Sequence, residues 1–372
     1  MPDERGPDRL RRVLAGPVEE GDVPGLVALV RRGGETHATV LGSMSAGGGA
    51  PMRRDALFRI ASLTKPVTAA AALLLVEDGR LRLDDPVDDL LPELAAPRVL
   101  RRPDGPLDDT VPAGRAITVG DLLTFRLGIG QPMEPCPLGD AMAAAGVQVG
   151  PDAPPMPPDE YLKRIGALPL AYPPGERWLY DTGTNVLGVL IARAAGRPLG
   201  GFCRERIFEP LGMRDTGFHV APGDAHRLPV SYAPDASGAL AVRDDPRDRP
   251  PAFESGSAGL VCTADDFAAF FRMLLDGGGP VLSRESVESM TTDRLTPEQK
   301  AAAGPFLGTG GWGLGIAVEE GGRFGWVGGL GTIAFADPSA DLVAVLFTQV
   351  MVTGPVFARL YDDFREVAYD VF

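Results

Sequence analysis

Lysine is scarce in this chain. Of 36 basic residues only Lys65, Lys163 and Lys300 are lysines, and the rest are arginine. Cysteine is just as rare. Cys136, Cys203 and Cys262 are odd in number and far apart, which argues against a disulfide framework and for reduced thiols in a cytoplasm. His37, His219 and His226 show no HExxH or other ligand spacing, so no metal site is expected. No apolar run reaches ~18 residues, so no membrane span is expected. The opening "MPDERGPDRLRRVLAGPVEEGDVPG" lacks the apolar core of a signal peptide. Positive charge is also in deficit. A net charge of −14 disfavours nucleic acid and anionic membrane surfaces as partners, and serves solubility as well.

What is present is a globular pattern. The 372 residues allow two domains, or one with an inserted lobe, and the 48 glycines and 36 prolines are scattered among periodic segments as turns and loops. Residues 7–20 read as an amphipathic helix. "GLVALVRRGG" and "ETHATVLGS" read as two strands about a Gly33-Gly34 turn. "VTAAAALLLVEDG" is too long and too alanine-rich for a strand, so a buried helix ending at Gly79 is expected. Helical segments with capping signals follow, among them "ITVGDLLTF", "TNVLGVLIARAAG" and "TADDFAAFFRMLLDGG". Residues 129–158 read as one long loop, and loops of that length are usually functional or mobile. Strand character returns in "WGLGIAVEE", "GRFGWVGG", "GTIAFADP" and "DLVAVLFTQV", before a final helix. The expected fold is α+β, an antiparallel sheet built from both chain ends and flanked by helices, with a mostly helical lobe inserted. Residues 1–60 plus 300–372 would form the sheet domain and 61–299 the helical one.

Some signals are set aside. "GTGGWG" (308–313) matches GxGxxG but leads into strand-like sequence, where a dinucleotide fingerprint opens a helix, so no cofactor is expected. No serine satisfies G-x-S-x-G. The Asp84-Asp85, Asp88-Asp89 cluster reads as solvated surface.

One of the three lysines stands three residues after a serine, in "FRIASLTKPVTAAAALLLVE" (58–77). Pro66 is tolerated only near a first helical turn, so the helix should start close to Ser62. Residues three apart then share a face, which sets Ser62 Oγ beside Lys65 Nζ. A serine hydroxyl attacks a carbonyl only when a neighbour takes its proton. A neutral lysine can do so, at a cost of about 4 kcal/mol to bring its pKa from ~10.4 toward 7, and burial is the expected means. Arginine cannot give up its proton in this way. Chance supplies about 0.1 such S-x-x-K matches in this composition. The plain alternative is a surface lysine beside a capping serine.

The surrounding text carries a resemblance. "FRIASLTKPVTAAAALLLVEDGRLRLDDPVDDLLPEL" resembles the nucleophile region of the serine β-lactamase-like superfamily, which includes class C β-lactamases, D,D-peptidases and family VIII carboxylesterases. "YPPGERWLYDTGTNVLGVLIARAAG" is similar to its tyrosine element and "FGWVGGLGTIAFADP" to its Lys/His/Trp-x-Gly strand, in the expected order. The resemblance implies a β-lactamase/transpeptidase-like fold with Ser62 as nucleophile, Lys65 as base and Tyr180 in the proton shuttle. The backbone N–H groups of Ser62 and Gly329 would form the oxyanion hole, and Thr182, Trp326 and Gly328 would bind substrate. Thr182 stands where many relatives carry asparagine, and Trp326 where many carry lysine. Indole has one donor and no charge. Carboxylate-bearing β-lactams and D-Ala-D-Ala ends should bind less well than neutral esters. The implied function is a cytoplasmic serine hydrolase of carboxylesterase type, acting on a small ester or amide. An acyltransferase, a β-lactamase or D,D-peptidase, and a non-catalytic sensor are the alternatives. Oligomeric state is not legible.

Overall fold

The computed structural model describes residues 6–352 and 354–372. Residues 1–5, where the segment read for a leader begins, lie outside that range. The N-terminal pattern yields α1 (Pro7–Glu19) and the hairpin β1 (Gly25–Arg32) and β2 (Glu35–Gly42), which turns on Gly33-Gly34 with Arg32 opposite Glu35. Two residues further matter near the site, β3 (Phe58–Arg59), which pairs with β4 (Val261–Cys262). The C-terminal third supplies β5 (Gly311–Trp312), β6 (Ala317–Val318), β7 (Phe324–Gly328), β8 (Thr332–Asp337) and β9 (Leu342–Thr348). Together they form a seven-stranded sheet in the order β2-β1-β9-β8-β7-β6-β5, antiparallel throughout and drawn from both chain ends as expected.

β9 is apolar on both faces because both faces are covered. Successive strand residues point to opposite sides. Leu342, Ala344 and Leu346 therefore join Leu10 and Leu14 of α1 and Phe357, Leu360 and Phe364 of the C-terminal helix (Gly354–Val367) in an outer core. Val343, Val345 and Phe347 face inward, toward Phe267, Phe270 and Phe271 of the helix Ala264–Leu275. A run that would mark a parallel strand elsewhere is here a central antiparallel one.

The inner side carries the helices that position the site. α2 (Thr64–Glu77) follows a 3-10 turn at Ala61–Leu63, and every residue from Thr64 to Leu75 is buried. That encirclement explains why its apolar character has no single stripe. α3 (Val119–Leu123) opens on a Thr118/Asp121 capping box. α4 (Pro137–Ala144) and α5 (Pro158–Gly166) precede α6 (Thr182–Ala195), which packs along α2 and ends at left-handed Gly196.

Two local expectations need correction. "WGLGIAVEE" is not one strand but two, β5 and β6, paired around residues 313–316. The chain leaves the sheet there to lie on the helices. A Cβ on Gly315 would come within 2.5 Å of Ala69, and one on Gly313 within 2.0 Å of the Met290 carbonyl. Residues 129–158 are not all loop either. "PLGDAMAA" has proline in its first turn, and Leu138 and Met142, four apart, are buried together as α4.

Candidate active site

Ser62, Lys65 and Tyr180 come together beside the sheet. Lys65 Nζ donates to Ser62 Oγ at 2.9 Å and lies 4.7 Å from the centre of the Tyr180 ring. Trp326, on β7, donates its indole N–H to the Tyr180 hydroxyl oxygen at 2.9 Å. The three sequence elements therefore meet in space.

The nucleophile turn is pinned from two sides. The Ile60 N–H donates to the Leu260 carbonyl, and the Leu260 N–H to Thr64 Oγ1. From the sheet, Thr332 Oγ1 donates to the Ile60 carbonyl at 3.0 Å. Gly328 is what lets the strand come this close, since a Cβ there would fall 2.3 Å from the same carbonyl oxygen. Its place is thus against the Ser62 turn, and Gly329 follows directly. Pro151, from the 129–158 segment, lies 3.6 Å from where a Gly329 Cβ would stand. Ala61, just before Ser62, has φ +44°, and Asp181, just after Tyr180, has φ +81°. Non-glycine residues rarely occupy this region, and such strain is typical of functional turns.

The glycine-rich turn 255–259 is wedged between α2 and α6. A Cβ on Gly256 would meet the Thr184 carbonyl at 2.7 Å. Ser255 Oγ donates to Asn185 Oδ1, and Thr68 Oγ1 to the Gly256 carbonyl. Placed this way, the turn presents the Ser257 carbonyl to Lys65 Nζ at 2.9 Å.

Asp181 is the residue that spacing did not reveal. Its Oδ1 lies 2.5 Å from Lys65 Nζ and also accepts from Ser257 Oγ, with lysine and aspartate both shut away from solvent. This overturns the expectation of a neutral amine. Burial alone would lower the Lys65 pKa, but the Asp181 and Tyr180 charges and hydrogen bonds outweigh it and hold the pKa above its ordinary value. The expectation failed because it counted desolvation and omitted the counter-ion. The only sequence signal was a carboxylate adjoining the tyrosine.

Thr182 does not reach the lysine. It is the first residue of α6, buried, and its Oγ1 has no hydrogen-bond partner, while its neighbour Asp181 makes the lysine contact. Trp326 has its single donor committed to Tyr180, so it supports the phenol as a neutral donor. Aromatic rings surround Tyr180: Phe306 stacks on it at 4.8 Å, and Phe125, Trp178 and Trp326 lie within 6 Å. A cavity of about 470 Å³ shares Phe306 and Trp326 with this aromatic wall, but Ser62, Lys65 and Tyr180 do not line it, and Thr309, Glu319, Glu320 and Arg365 do. Arg323 also borders it, but pairs with Glu319 and lies over the Phe335 ring.

A serine held against a lysine and a tyrosine, at the end of β7 beside two helix starts, is an arrangement chemically capable of acyl transfer through serine. The Beta-lactamase family profile matches residues 10–368, and the chain belongs to that family. A Mycobacterium tuberculosis protein whose name states no activity is 41% identical over 324 residues, covering 81% of this chain and 79% of its own. Esterase EstB of Burkholderia gladioli is 31% identical over 387 residues, covering 95% of this chain and 94% of its own. Among solved structures, EstCE1, described as a hydrolase with promiscuous acyltransferase activity, superposes with a TM-score of 0.82 at 26% identity. It covers 97% of this chain and 98% of its own. Among the described residues no single helix is long and apolar enough to cross a membrane.

Proposed function

We propose that this chain is a serine hydrolase of carboxylesterase type that acylates Ser62 with a small ester and releases the acyl group to water. The observation that carries the reading is the 2.9 Å contact between Ser62 Oγ and Lys65 Nζ, with Tyr180 lying alongside. In the first half-reaction Ser62 Oγ bonds to the acyl carbon and its proton passes to the Lys65–Tyr180 relay. The carbonyl π pair moves onto oxygen, facing the backbone N–H groups of Ser62 and Gly329. On collapse the bond to the leaving oxygen breaks, and the relay returns the proton to the departing alcohol. Water repeats the sequence in reverse.

The aromatic wall around Tyr180 and the uncharged Trp326 favour neutral, apolar ester groups over carboxylate-bearing β-lactams. The esterase name of EstB supports the same preference. Release of nitrophenol from short-chain nitrophenyl esters, lost in Ser62→Ala, is the expected result. Equal turnover in parent and variant would refute it.

Acyl transfer to an alcohol is the second reading. The description of EstCE1 favours it, as does the closeness of Pro151 to Gly329, which brings the 129–158 segment to the site. Product analysis with added alcohols separates the two. A cytoplasmic location is proposed on the acidic composition and the three unbridged cysteines, and fractionation of the native host tests it.

A further inference from the structure

We infer that Asp152 is a specificity-determining residue: its ion pair with Arg243 holds the proline-rich tip of the 129–158 segment over the acyl side of the site, so that short acyl groups are preferred to long ones. This inference rests on the proposed reaction at Ser62 and adds what sets the size of the acyl group.

The segment is anchored on both sides of its tip. The Gln131 N–H donates to the Tyr180 carbonyl at 3.0 Å, and Leu138, Met142, Val147 and Met156 are buried. Between Val147 and Met156 the chain reads "QVGPDAPP" (148–155), and among the described residues no backbone hydrogen bond holds it. Its three prolines have no N–H to offer. The fastening is a side chain instead: Asp152 Oδ1 accepts from Arg243 Nη2.

Arg243 is the fixed partner of the two. Its side chain is 11% exposed, against 66% for Asp152. Its Nη1 donates to Ser231 Oγ at 3.1 Å, and its backbone N–H to the Ser231 carbonyl. Both bonds lie at the base of a hairpin that pairs Tyr232–Pro234 with Leu240–Val242. That hairpin is tied to the chain after β9, where the Met351 N–H donates to the Tyr232 carbonyl and the Val352 N–H to the Gly329 carbonyl. Arg243 is therefore anchored to the stretch that also holds Gly329. Its guanidinium needs a second anion, because the nearby Asp245 carboxylate, 3.8 Å away, is closer to Arg59 at 3.1 Å and to Arg247 at 2.8 Å. Asp152 supplies that anion, and in doing so brings Pro151 to within 3.6 Å of where a Gly329 Cβ would stand.

The side of the site follows from the strand. Trp326 contacts the Tyr180 hydroxyl, and Gly329 comes three residues later, roughly 10 Å along an extended chain. In the proposed reaction the leaving alcohol departs at Tyr180. The acyl chain then runs the other way from the carbonyl carbon, toward Gly329 and Pro151.

The test is kcat/KM for p-nitrophenyl acetate and p-nitrophenyl octanoate in parent, Asp152→Asn and Asp152→Glu, in low salt and in about 1 M sodium chloride, where the screening length falls to roughly 3 Å. The two esters share a leaving group, so only the acyl side differs. In Asp152→Asn the octanoate-to-acetate ratio should rise about twofold to fivefold, as expected for an exposed ion pair, through a lower KM for octanoate and with acetate turnover unchanged. Asp152→Glu keeps the charge and should keep the parent ratio. Salt should move the parent ratio toward that of Asp152→Asn, and should move the ratio of Asp152→Asn itself less. With a Ser62 fluorophosphonate adduct formed by the parent, an unchanged ratio in Asp152→Asn, or an equal change for both esters, overturns this inference alone. So does Asp152→Glu behaving as Asp152→Asn, which would assign the effect to shape and not to charge. Absence of any Ser62 adduct in the parent overturns the nucleophile assignment and this inference with it.

Discussion

Two ion pairs in this molecule share a chemistry and differ in surroundings. Arg54 grips Asp265 by two hydrogen bonds, at 2.7 and 2.9 Å, with both side chains about half exposed. Lys65 meets Asp181 by one oxygen at 2.5 Å, with side chains 0% and 4% exposed. By hydrogen bonds the surface pair is the better made. Water and salt screen it, however, and such pairs contribute roughly 0–1 kcal/mol. The buried pair has no solvent to replace a lost partner. Burial, more than contact geometry, decides which pair the protein depends on, and the dependent one is beside Ser62.

Breaking the buried pair should have the largest effect. Lys65→Met strands the Asp181 carboxylate, and we expect a loss of about 3–5 kcal/mol in urea unfolding. Ester turnover should fall at least about a thousandfold. The double variant Lys65→Met/Asp181→Asn removes both charges. It should recover most of the stability and none of the turnover; if stability stays as low as in the single variant, the stranded charge was not the cause. The pair also has a pH signature. Lys65 has its folded-state pKa raised above 10.5, so its contribution should hold below that pH and decline as pH rises beyond it.

Gly328→Ala acts on the shared support. Its methyl would collide with the Ile60 carbonyl, so we expect about 1–3 kcal/mol of destabilisation and a lower kcat as the Ser62 turn is displaced. Unchanged kcat and stability would show that the turn has slack. Trp326→Phe keeps the ring packing but removes the donor to Tyr180. Losing such a hydrogen bond should lower kcat about tenfold to a hundredfold, with KM little altered. Smallest of all, Arg54→Ala should change stability by about 1 kcal/mol or less, and less still in high salt. A larger loss there would erase the contrast between the two pairs.

How much of this was legible beforehand follows from how local each signal is. Helices and strands with a clear period, such as α2 and β9, were readable because burial on one face or on all sides leaves its mark on every residue. The S-x-x-K spacing was readable because three residues make one helical face. "WGLGIAVEE" misled because its break is imposed from outside, by Ala69 and Met290 pressing on Gly315 and Gly313. Asp181 was missed for a related reason. Its alliance with Lys65 depends on two helix starts meeting and on a strained turn between Tyr180 and Thr182, and neither has a period or a spacing. Thr182 drew attention because it matched a motif position, while the side chain that reaches the lysine was one residue earlier.

The measurement that bears most directly on all of this is intact-mass and peptide mapping after brief exposure to a fluorophosphonate. We expect one adduct per chain, on the peptide that contains Ser62, and none in Ser62→Ala. An adduct elsewhere, or the same adduct in Ser62→Ala, would mean that the serine held against Lys65 is not the nucleophile.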